Sequence, residues 1–74
     1  MITRDEDRIG RLFAQLTGQL EDATELAVDG QNRKHSLTVR TNLSRRLRLR
    51  LLRMSTTLDM TIAAIDLAKK ESKT

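Results

Sequence analysis

The sequence predicts a mainly α-helical chain that works as an intertwined homodimer. The expected order is an N-terminal helix, one short strand that pairs with the strand of a second copy, and two more helices. Three observations carry this reading. Apolar residues recur at three- and four-residue steps over the first thirty positions and again beyond Leu43. Between them, Ser36-Leu37-Thr38-Val39-Arg40-Thr41 alternates, with Leu37 and Val39 on one side and Ser36, Thr38 and Arg40 on the other. Finally, 74 residues with no Cys, no Trp, no Tyr and one Phe bury only a small aliphatic core with no disulfide to hold it, so a second copy is the expected source of stability.

The first helix occupies 1–29. Thr3 and Glu6 form a capping box, and Asp5, Glu6 and Asp7 suit the positive end of the helix dipole. Its apolar stripe is Ile9, Leu12, Phe13, Leu16, Leu20, Ala23 and Ala27. Gly30 is placed to end it as a left-handed residue, and 30–34 reads as a polar linker. From Leu37 to Leu51 the apolar residues all fall on odd numbers, which is strand periodicity, but residue type divides the stretch. The β-branched and hydroxyl residues up to Thr41 favour strand, and the Leu/Arg run after Asn42 favours helix. The expected elements are therefore a strand at 35–41, a cap at Asn42 and a helix at 43–54. Ser55-Thr56-Thr57 reads as a break and a new cap. A last helix then runs to about Lys70, with Leu58, Ile62 and Ile65 on its apolar side, and 72–74 is a tail.

Charge is unevenly distributed. Residues 1–29 hold seven acids and three arginines, whereas Gly30 to Leu58 holds eight bases and no acid. That asymmetry points to a polyanion partner for the middle segment. Its rival is internal: the acidic helix folds back and neutralises the basic one.

The alternating strand, the Asn42 cap, the Leu/Arg helix to Met54, the polar turn at 55–57 and the helix with Leu58, Ile62 and Ile65 together resemble the ribbon-helix-helix family of DNA-binding proteins. The resemblance covers 34–71. The chain departs from the family pattern at Ser55, where many members have Gly, and at Thr61, where an apolar residue is common. The resemblance implies an obligate dimer with a two-stranded ribbon in the major groove. Ser36, Thr38 and Arg40 would read bases, and Lys34, Arg46, Thr56 and Thr57 would hold phosphates. Leu37, Val39, Leu43, Leu47, Leu51, Leu58, Ile62 and Ile65 would form the dimer core. The layout is also similar to small plasmid-partition proteins. Double-stranded DNA is then the main partner, and the first helix, through Ile9, Leu12, Phe13, Leu16 and Leu20, would engage a second protein such as a ParA-type ATPase. A repressor or a partition factor is the expected function.

The rival reading is a two-helix hairpin. Its second helix runs unbroken from about Ser36 to Lys70 and self-associates into a four-helix bundle through Leu49, Leu52, Met60 and Leu67, serving as an adaptor or an RNA-binding regulator. No nucleophile or acid–base pairing, glycine-rich phosphate loop or metal-ligand spacing points to an enzyme, and neither a cofactor nor a metal is expected. No apolar run reaches membrane-spanning length and the N-terminus lacks a signal pattern, so a soluble, cytoplasmic protein is expected.

Overall fold

The structure, a computed structural model, describes residues 4–72 of the chain. They form two antiparallel helices, α1 (Arg4–Gly30) and α2 (Leu37–Ser72), joined by a turn at 31–36. The principal extents are 58 × 19 × 11 Å. The smallest equals about one helix diameter, so the hairpin is a single layer with two broad faces.

No strand exists among the described residues, and this overturns the ribbon-helix-helix reading and the fold class built on it. The predicted strand at 35–41 is the entry to α2. Ser36, not Asn42, is the cap: its Oγ accepts the Val39 N–H at 3.2 Å, and its carbonyl accepts the Arg40 N–H at 3.0 Å. The Thr41 and Ser44 hydroxyls donate back to the Leu37 and Arg40 carbonyls, each at 2.9 Å. A strand needs a neighbour to pair its backbone groups, and this segment has none in its own chain. Adding a turn to an existing helix satisfies the same groups locally and avoids a new nucleus. The helix-propensity cost of Thr and Val, at most about 0.7 kcal/mol each, is too small to prevent this.

The predicted break at Ser55-Thr56-Thr57 is also absent. The Thr56, Thr57 and Thr61 hydroxyls donate to the carbonyls four residues earlier, at 3.3, 3.1 and 2.8 Å, and α2 runs straight through. The Lys69 and Lys70 side chains do stand in its last turn, where the dipole favours them. Thr3 of the expected capping box and residues 73–74 of the tail lie outside the described residues.

Gly30 is not left-handed, since no glycine has positive φ among the described residues. Instead α1 ends by tightening, with Gln31 N–H donating to Val28 O at 3.0 Å and Asn32 N–H to Asp29 O at 3.1 Å. The freed carbonyls are met from α2: Arg40 Nε donates to Gly30 O at 3.1 Å, and its guanidinium reaches Gln31 O at 3.5 Å. His35 Nε2 lies 2.8 Å from Asp29 Oδ1 and ties the turn to the end of α1. Arg40 thus latches the two helices. Arg40→Ala is expected to cost about 1.5 kcal/mol, read as a lower urea midpoint by circular dichroism. Arg40→Lys should recover only part of it, because an ammonium lacks the guanidinium fork. An unchanged midpoint for Arg40→Ala would refute the latch.

The seam between the helices follows a strict alternation of three- and four-residue steps. On α1 it comprises Ile9, Leu12, Leu16, Gln19, Ala23, Leu26 and Gly30, the residues of that helix shielded from solvent. On α2 the steps run Arg40, Leu43, Leu47, Arg50, Met54, Thr57, Thr61, Ala64 and Ala68, with Ile65 beside them. This is the heptad pattern of a coiled coil. It is a thin seam. Among the described residues only Leu12, Ala23, Leu43 and Ala64 are buried apolar residues, and Thr57 and Thr61 are buried beside them. The Gln19 side-chain oxygen is buried there without a hydrogen-bond partner.

Candidate interaction surface

The Arg40–Gly30 bond marks the register of the hairpin. Stepping away from it at equal rise puts Leu20 level with Arg50 and Leu51, and Phe13 level with Thr57 and Leu58. Heptad position then assigns each exposed side chain to one of the two broad faces. Two grooves along the seam agree with that assignment. One is lined by Ala27, Gly30, Arg40, Leu43 and Ser44, among others, and the opposite one by Asp22, Glu25, Asp29, Arg46 and Arg50.

The first face is apolar. It carries Phe13, Leu20 and Ala27 from α1 and Leu51, Leu58, Ile62 and Ile65 from α2. Phe13, Leu20, Leu51, Leu58 and Ile62 are each close to half exposed, from 46% to 53%. Between them the same flank offers Gly10, Thr17, Thr24, Ser44 and Ser55. Charge is confined to its rim, at Arg48 and toward the open end at Glu6 and Lys69. The second face is charged, with the acids of α1 opposite the arginines of α2 across one groove. Arg46, Arg50 and Arg53 also line a smaller groove with Leu49. These acids and arginines share the groove, but no ion pair within 4.0 Å joins Asp22, Glu25 or Asp29 to Arg46 or Arg50.

The residues expected to meet DNA do not converge. Ser36 is a helix cap and Lys34 lies in the turn, where its N–H donates to Asn32 Oδ1 at 3.0 Å. Thr38 is exposed in the first turn of α2, and Arg40 is the latch. Arg46 sits in the acid-lined groove, Thr56 is exposed, and Thr57 is 3% exposed in the seam. The helix N-terminus that was to hold a phosphate at Thr56 and Thr57 is mid-helix. The expected dimer core is scattered too: Leu43 is buried, Leu47 and Ile65 are half-buried, while Leu51, Leu58 and Ile62 belong to the open apolar face. Leu37 is 80% exposed, and Val39 is exposed as well. The predicted partner face of α1 divides, with Ile9, Leu12 and Leu16 in the seam and Phe13 and Leu20 on the open face.

Gln19, Arg50, Thr57 and Thr61 were missed as seam residues because only apolar residues were counted. The unbroken three–four stepping through both helices was the available signal. Of the bundle contacts expected from the rival reading, Leu49, Met60 and Leu67 lie on the flank of the charged face, and Leu52 points away from α1. Among the described residues no group of three His, Cys, Asp or Glu side chains is placed to hold a metal. No helix is long and apolar enough to cross a membrane. Comparison with protein-family models, with curated proteins and with solved structures gives no match to this chain.

Proposed function

We propose that this chain is a non-enzymatic, self-associating helical hairpin that builds a four-helix bundle with a second copy and serves as an adaptor. The observation that carries this reading is the apolar face shared by both helices. Domains bury apolar faces between layers, and this hairpin has one layer. Because the seam alone is thin, a second layer supplies the burial that the chain lacks.

The adaptor reading is favoured over RNA binding because part of the Arg-rich stretch already faces acids of its own chain, at Asp22, Glu25 and Asp29. The suggestion of an ATPase partner rested on the ribbon and loses its basis with it. Sedimentation equilibrium of the intact chain tests the proposal. The expected mass is twice the 8.5 kDa of one chain, with a melting temperature that rises with concentration. A chain that stays at 8.5 kDa up to hundreds of micromolar refutes it.

A further inference from the structure

The charge distribution selects the direction in which a second copy packs. Residues 15–55, the turn-end half, hold four acids and eight bases, a net charge of +4. Residues 1–14 and 56–74, the open-end half, hold six acids and six bases. The whole formal charge of the chain therefore sits at one end. We propose that two hairpins join through the apolar face antiparallel, with their turns at opposite ends of the bundle. This rests on the self-association proposed above and goes beyond it in fixing the arrangement.

A parallel pairing would gather both +4 halves at one end. Like charges brought within a Debye length of about 8 Å repel at physiological salt. An antiparallel pairing sends the basic halves apart and lays each beside a neutral half. It also matches the apolar residues. These run from the level of Ile65 to that of Ala27, so their midpoint falls between Phe13 and Leu20 on α1 and between Leu51 and Leu58 on α2. A twofold axis there packs Phe13 of one copy on Leu20 of the other, and Leu51 on Leu58. The two turns, each with Arg33 and Lys34, then lie at the two ends of one rod.

The chain has no Cys, so one introduced thiol labels one place. Gln31 is exposed in the turn. Spin-labelled Gln31→Cys, examined by pulsed dipolar spectroscopy at a concentration where sedimentation of the same sample shows a dimer, reports the direction. Antiparallel packing predicts a label separation of roughly 45 Å from the helical rise. A dimer with labels closer than about 30 Å, as side-by-side turns on helices 8–10 Å apart require, overturns the antiparallel arrangement alone. A labelled chain that sediments as a monomer, like the unlabelled one, overturns the self-association on which it rests.

Discussion

Leu51→Glu is expected to convert the proposed bundle into single chains, whereas Leu52→Glu, one residue along, is expected to leave it assembled. Leu51 is 53% exposed on the apolar face of the hairpin, and Leu52 is 59% exposed on the side of α2 away from α1. Their chemistry and exposure in the lone hairpin are nearly the same, so only the second copy distinguishes them. Covering the rest of Leu51 contributes about 1 kcal/mol per copy. Placing a carboxylate there costs roughly 2 kcal/mol more even if it reaches the rim. Both terms occur twice in a twofold dimer, so the total is on the order of 6 kcal/mol. That weakens association by about four orders of magnitude. Sedimentation equilibrium of the two variants decides the matter. Equal masses for both would remove the apolar face as the site of assembly. Melting of Leu51→Glu should also lose its dependence on concentration.

The second large effect lies in the seam. Leu43→Ala is expected to cost about 3 kcal/mol, since Leu43 is 7% exposed and its neighbours cannot collapse fully onto the space left. Leu37→Ala is expected to change stability by less than about 0.5 kcal/mol, because Leu37 is 80% exposed. Denaturant titration monitored by circular dichroism measures both. In a ribbon dimer the two residues would share one core and their losses would be comparable. Comparable losses would therefore contradict the hairpin. A chain stabilised by so thin a seam has little to spare, so Leu43→Ala should also show reduced helix content at room temperature.

Much of the first helix was legible. Its start in an acidic turn, its end at Gly30 and four of its seam residues, Ile9, Leu12, Leu16 and Ala23, follow from three- and four-residue spacing. The second helix was misread at both polar interruptions. Ser-Leu-Thr-Val-Arg-Thr has the composition of a strand, but propensity decides little when the alternative is to extend a neighbouring helix. Ser55-Thr56-Thr57 has the composition of a cap, yet Thr57 fits the seam because its hydroxyl returns to the Arg53 carbonyl and leaves its methyl to pack. The candidate site suffered most. Ser36, Thr38 and Arg40 share a side only on a strand; on a helix they become a cap, a surface residue and a latch.

Local sequence was enough to place helix in most of this chain, to show that its core is small, and to locate its charge, because these depend on residue type and near-neighbour spacing. The closure of α1 on α2 was not readable in the same way. It depends on Arg40 meeting Gly30 ten residues back, and on two heptad seams whose polar members look out of place until they face each other. The apolar face follows from that closure. Leu20 and Leu51 lie far apart in the chain, and their being neighbours on one surface is a consequence of register, which side-chain packing between the helices sets.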